Sequence, residues 1–218
     1  MTSSPNRLTL TLALGFFLAS LSLAVVYLLV SARKELRPAP EMPVLSWIAD
    51  FQMTNELGGE VTLGTLSNRV WVADIFFTRC AGPCLRMSRQ MKELQDALPR
   101  SSRARLVSIS TDPLYDTPPV LARYAQRFDA DTNRWIFLTG SEASARGLIT
   151  GSLKLSSIKT ETGEKIEPSD LYIHDTRLAV VDKSGRLRGV FDTGGEGVNW
   201  ADSKSAVLRA VARLEREP

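Results

Sequence analysis

Residues 70–98, VWVADIFFTRCAGPCLRMSRQMKELQDAL, change their periodicity halfway, and that change decides the fold. The first part, VWVADIFF, is a mostly apolar run of β-branched and aromatic residues. That is the composition of a strand buried on both faces. From Cys84 onward, Leu85, Met87, Met91, Leu94 and Leu98 recur at helical spacing with Arg, Lys, Gln and Glu between them. Between strand and helix lie both cysteines of the chain, Cys80 and Cys84, with Gly82 and Pro83 between them. Proline suits a first helical turn, where its missing N–H costs nothing, and glycine allows the sharp turn before it. Read as the start of a helix, the two positions share a face, about 5–6 Å apart at Cβ. Such a pair can close a disulfide or clamp one metal ion. The helix N-terminus, with Arg79 and Arg86 nearby, is expected to favour thiolates and make both cysteines reactive. As a plain structural disulfide the pair would close too short a loop to constrain much of the unfolded chain.

Outward from this stretch the alternation continues. VTL with the pieces around Gly58 and Gly59 reads as a hairpin before it. After it come a strand in ARLVSIS, a loop in TDPLYDTPP, a helix in VLARYAQRF and a short strand in RWIFLTG. SEASARGLITGSLKL begins helical, and residues 156–173 read as a long polar loop. RLAVVD and RLRGVFD flank Lys183-Ser184-Gly185 as a second hairpin. ADSKSAVLRAVARLERE reads as a last amphipathic helix with Asp202 or Ser203 as N-cap. Strands and helices in this order predict an α/β sheet covered on both faces, as in a thioredoxin-like fold, with the thiols at the carboxyl end of a central strand.

The chain has 218 residues, enough for one well-cored domain and an appendage. The appendage is Leu8 to Val30, 23 residues without a charge, about 35 Å as a helix and long enough to cross a bilayer. It has no polar face and exceeds a usual signal-peptide core, so a retained transmembrane anchor is expected. Residues 31–43, SARKELRPAPEMP, read as a linker, and 44–218 as the folded domain. Arg33, Lys34 and Arg37 follow the span while Arg7 precedes it, a count that by itself favours a domain kept inside. Paired thiols on an anchored domain instead fit an oxidising compartment. The expected location is the bacterial inner membrane, single-pass, with the domain in the periplasm. The net charge is +3 and basic residues alternate with acidic ones, so no nucleic-acid partner is expected.

The single histidine, His174, stands in SDLYIHDTRLAVVD, just before the second hairpin. Two thiolates and one imidazole make a soft, three-coordinate donor set suited to cuprous copper. Structural zinc would want a fourth ligand, for which a carboxylate such as Asp175 could serve.

Several stretches together resemble the SCO/SenC family of copper chaperones for cytochrome c oxidase assembly. FFTRCAGPC is similar to that family's Phe-x-Phe-Thr-x-Cys-x-x-x-Cys segment, read here as Ile75 to Cys84. VSISTDPLYDTPP resembles its Ser-x-Asp-Pro-x-x-Asp-Thr-Pro stretch, through Asp112, Pro113, Asp116, Thr117 and Pro118. RWIFLTG resembles its Trp-x-x-Leu-Thr-Gly piece, and IHDTRLAVVDKSG its histidine segment followed by Asp-x-x-Gly, with His174, Asp182 and Gly185. Ala81 and Leu85 stand where the family often has prolines. The resemblance implies a thioredoxin-like domain on one N-terminal transmembrane helix, with copper held by Cys80, Cys84 and His174. It implies a binding and transfer protein rather than an enzyme, one that helps metallate the dinuclear copper centre. Its expected partners are the copper-binding subunit of the oxidase and other copper chaperones or thiol reductases. The alternative is a thiol–disulfide oxidoreductase with Cys80 and Cys84 as the redox pair, although redox motifs of that fold usually keep two residues between the cysteines.

Overall fold

The structure is a computed structural model that describes residues 7–35, 41–80, 82–159, 172–195 and 197–217. It divides into two units, residues 1–41 and 42–218.

In the first unit a single helix, α1 (Arg7–Glu35), includes an apolar span of 22 residues, Leu10–Ser31. That span rises about 33 Å, against a hydrocarbon core of about 30 Å. Its serines are compatible with lipid because each hydroxyl donates within the helix. Ser20 bonds the Phe16 carbonyl at 2.8 Å, Ser22 that of Ala19 at 2.8 Å and Ser31 that of Leu28 at 3.0 Å. The helix is long and apolar enough to span a membrane.

The second unit is a mixed α/β sandwich. Its elements are β1 (Ser46–Trp47), β2 (Gln52–Asn55), β3 (Glu60–Thr62), α2 (Leu63–Leu66), β4 (Trp71–Phe76), α3 (Pro83–Ala97), β5 (Arg105–Ser110), α4 (Pro118–Arg127) and β6 (Trp135–Thr139). There follow α5 (Glu142–Arg146), a π-helical turn (Gly147–Ser152), β7 (Ser157–Lys159), β8 (Tyr172–His174), β9 (Arg177–Val181), β10 (Arg186–Asp192) and α6 (Trp200–Leu214). Eight strands form one sheet in the order β1-β10-β9-β4-β5-β6-β2-β3, and β7 pairs with β8 separately. β4 is parallel to β5, β5 is parallel to β6, and β9 lies antiparallel against the other edge of β4.

Strand alternation builds the two cores. Val72 and Phe76 of β4, Leu106 of β5, Trp135 and Phe137 of β6, and Leu178 and Val180 of β9 face the layer containing α3, α4 and α6. Trp71, Ala73, Ile75, Val107, Ile109, Ile136, Leu138, Ala179 and Val181 face the layer of α2, α5 and the π-helical turn. The sheet is therefore covered on both faces, as the alternation of strands and helices predicts.

Local chemistry moves several boundaries. α4 starts at Pro118, two residues before the predicted start, because adjacent prolines fit a first turn and only there. α6 starts at Trp200 and is capped by Asn199, whose side chain accepts from the Ala201 N–H at 3.0 Å. Asp202 and Ser203 instead lie inside the helix, correcting the predicted cap. The polar stretch 156–173 is not all loop: β7 and β8 occupy its ends, and residues 160–171 lie outside the described ones. The Gly58 turn forms as expected, with φ of +81°.

At the sheet edge Glu56 is buried. One carboxylate oxygen accepts from the Phe137 N–H at 2.9 Å, and the other has no hydrogen-bond partner. Burial pushes this carboxyl above its ordinary 4.5, more than the Phe137 bond pulls it down. A raised folded pKa gives stability that is complete below 4.5 and lost as pH rises through the folded value. Urea unfolding should show stability falling as pH rises above 4.5 in the parent and a shallower fall in Glu56→Gln. Equal slopes would assign the pH dependence elsewhere.

Candidate metal centre

The thiols emerge where β4 ends. The Cys80 N–H closes a turn onto the Phe77 carbonyl at 3.2 Å. α3 then begins at Pro83, with Gly82 as an N-cap that offers no side-chain bond, so Cys84 sits in the first helical turn while Cys80 lies in the loop before it. Contrary to the expectation from spacing, the two cysteines do not share a helical face, because the helix begins only at the proline. Their side chains nonetheless meet: the thiols are hydrogen bonded, and no disulfide joins them. Cys80 is 4 % exposed and Cys84 0 %.

That burial overturns the expected thiolates. Desolvation, then the bond and proximity to Cys80, pushes the Cys84 thiol far up, and the nearby Asp74 adds to the rise. The arginines expected to oppose this are occupied elsewhere. Arg79 binds Asp112 at 2.5 Å and lies 4.2 Å over the Tyr115 ring, while the guanidinium of the exposed Arg86 rests against the backbone of Gly194.

The loop beside Cys80 is held from below. Asp116 is fully buried; its carboxylate accepts from the Thr78 hydroxyl at 2.5 Å, the Thr78 N–H at 3.2 Å and the Ser110 hydroxyl at 2.6 Å. Burial raises this carboxyl, against the bonds from Ser110 and Thr78. The Thr111 N–H also bonds the Phe76 carbonyl at 2.9 Å, so the segment after β5 is sewn to the segment that carries Cys80.

Beneath the thiols lies a polar stripe on the α3 face of the sheet. Asp74 accepts from the Ser108 hydroxyl at 2.5 Å, and Ser108 accepts from the Trp135 indole N–H at 2.8 Å. Tyr124 stacks on Phe76 at 5.0 Å and its hydroxyl meets Ser88 at 2.9 Å. Asp74 is the residue that sequence reasoning passed over. Its signal was a single charge inside the otherwise uncharged run VWVADIFF.

β8 carries His174 as its last residue, where it pairs with Ser157. β9 then runs antiparallel to β4, with Ala73 opposite Ala179, so the start of β9 lies at the end of β4 from which the Cys80 loop emerges. The histidine's backbone therefore enters the sheet at the cysteine end. Its side chain lies outside the described residues, as do any contacts it makes. Asp175, the carboxylate considered for zinc, is engaged by the Arg177 guanidinium, the Arg177 N–H at 3.1 Å and the Ser156 N–H at 3.2 Å.

Comparison with known proteins agrees with this architecture. The SCO1/SenC family model matches residues 42–208. A SCO1 protein homolog of Bacillus subtilis is 31% identical over 141 residues, 64% of this chain and 70% of its own length. Among solved structures, BsSco is described as a member of the Sco family of cytochrome c oxidase assembly proteins that contains a disulfide switch. It is 26% identical, with a TM-score of 0.66 over 82% of this chain and 100% of its own. ScoI of Bradyrhizobium japonicum, solved with copper bound, has the same fold: TM-score 0.60, 22% identity, 76% of this chain and 99% of its own.

Proposed function

The chain belongs to the SCO1/SenC family, and from that premise we propose that it is a membrane-anchored copper-binding protein that serves assembly of the dinuclear copper centre of cytochrome c oxidase. Cys80, Cys84 and His174 hold the copper. The observation that carries this reading is the buried, hydrogen-bonded thiol pair at the end of β4, with the His174 strand entering at the same end of the sheet. The donor set fits: two sulfurs and an imidazole suit a soft cuprous ion. Copper is cargo here, taken up and passed to a copper-binding oxidase subunit. The division 8–30, 31–43 and 44–218 into anchor, linker and copper-binding domain belongs to the same proposal. So does a location in the bacterial inner membrane with the domain in the periplasm, an oxidising compartment that suits paired thiols.

A second reading rests on the same two thiols. Closing a Cys80–Cys84 disulfide releases two electrons and two protons, which reduce one disulfide of a partner to two thiols. The disulfide switch described for BsSco favours keeping this reading.

The test uses the full chain in detergent, reduced and without oxygen, titrated with cuprous ion against a chromophoric chelator beside His174→Ala. One tight equivalent that weakens in the variant is expected. Unchanged affinity in His174→Ala would remove the three-donor site, and absence of tight binding in the parent would leave the thiols as a redox pair.

A further inference from the structure

α3 carries Cys84 in its first turn and, six residues later, a buried glutamine that reaches out of the helix. Gln90 is 5 % exposed, and its amide donates to the Thr193 carbonyl at 2.8 Å. Thr193 directly follows β10 and is itself 2 % exposed. It binds Thr176 twice: its N–H at 3.1 Å and its hydroxyl at 2.5 Å both donate to the Thr176 carbonyl. Thr176 answers with its own hydroxyl, donating to the Gly194 carbonyl at 2.9 Å.

The same turn meets α3 a second time. A Cβ on Gly194 would lie 2.5 Å from Nη2 of Arg86 and 2.8 Å from its Cζ, so the guanidinium packs here only because residue 194 has no side chain. Gln90 thus holds the turn, Arg86 lies against it, and the turn is bonded to Thr176. Thr176 stands two residues after His174, a chain distance of at most about 7 Å. The cysteine-bearing helix and the histidine-bearing segment are thus tied together through Gln90, Thr193 and Thr176.

We propose that the Gln90–Thr193–Thr176 chain of hydrogen bonds is a positioning device that fixes the His174 segment relative to the cysteine helix and so sets copper affinity. The proposal rests on the copper reading of Cys80, Cys84 and His174. Partners bonded directly to a ligand typically govern metal affinity by about 10–100-fold, and these residues act one step further out through the chain, so an effect at the lower end is expected. A purely structural role would lower stability without acting through the histidine.

The experiment is a double-mutant cycle on the full chain in detergent, read by cuprous titration against a chelator. Thr193→Val removes the hydroxyl bond while leaving the backbone bond to Thr176. It should weaken cuprous binding about tenfold. Thr193→Ser should restore affinity to within about twofold of the parent, on the same outer-partner argument. Thr176→Val, which loses the bond to Gly194, should act in the same direction and serves if Thr193→Val does not fold. In a His174→Ala background neither valine substitution should weaken binding further. Equal losses in both backgrounds, or parent affinity in both valine variants, would overturn the positioning role. If His174→Ala alone binds copper as tightly as the parent, the donor set itself is wrong and the device falls with it.

Discussion

Cys84→Ala should abolish tight cuprous binding in the full chain, leaving an affinity lower than the parent's by more than the roughly 10–100-fold that outer partners govern. The side chain is wholly buried and hydrogen bonded to Cys80, so its loss leaves only Cys80 and His174 of the three proposed donors. It also removes part of the pH dependence of binding. Burial and the neighbouring Cys80 hold the Cys84 proton tightly, so an arriving cuprous ion must displace it, and apparent affinity must rise with pH. Chelator competition at pH 6 and pH 8 should show that rise in the parent and a smaller one in Cys84→Ala. Retention of one tight equivalent in the variant would rule Cys84 out as a ligand. Wild-type-like circular dichroism would exclude loss of the fold as the explanation.

The second large effect concerns stability. Arg188 on β10 is 3 % exposed and pairs with Asp182, also 3 % exposed, at 2.7 Å, and with Glu217 at 2.7 Å. It donates further to the Met42 carbonyl at 2.7 Å, so one guanidinium joins the start of the domain, the β9–β10 turn and the residues after α6. Asp182 is buried, which would raise its carboxyl. Bonds from Arg188, Arg186 and the Arg186 and Ser184 N–H groups outweigh that and hold it below its ordinary 3.8. A depressed folded pKa supplies stability above 3.8 that is lost as pH falls through the folded value. Arg188→Ala removes the buried partner and leaves Asp182 with the half-exposed Arg186. The expected cost is about 3–5 kcal/mol at neutral pH, the range for breaking a buried ion pair from one side. Urea unfolding followed by tryptophan emission reads it, since Trp71 and Trp135 are both fully buried. Arg188→Met with Asp182→Asn should recover part of the loss, because no lone charge then remains inside. A cost near zero for Arg188→Ala would mean that water reaches Asp182 and that the pair is not insulated.

The residues that hold the copper reading were visible in one dimension because they are chemically rare. Two cysteines and one histidine in 218 residues draw notice wherever they fall. The elements that carry them were visible because burial imposes period. An uncharged stretch of 23 residues announces a membrane-length helix; the switch at Cys84 from an apolar run to helical spacing announces β4 followed by α3. Where a boundary rests on a single small polar residue, that logic weakens. Asn199, Asp202 and Ser203 all suit an N-cap, and only the packing of α6 selects Asn199.

Tertiary structure alone decided the surroundings of the thiols. Asp74 under Ser108 and Trp135, Asp116 holding Thr78, and Gln90 holding Thr193 each join residues far apart along the chain. Such bonds follow no repeat, since they depend on which strands become neighbours and which face each side chain takes. The protonation of Cys84 was hidden for the same reason. The sequence shows the helix start and two arginines that favour a thiolate; burial and the diversion of Arg79 to Asp112 exist only once the chain has folded. Sequence by itself determined the membrane-length apolar helix, the alternation of strands and helices and the three candidate donors, because hydrophobic period and rare side chains are local properties. The fold decided their environment, because desolvation and long-range hydrogen bonds are properties of the packed chain.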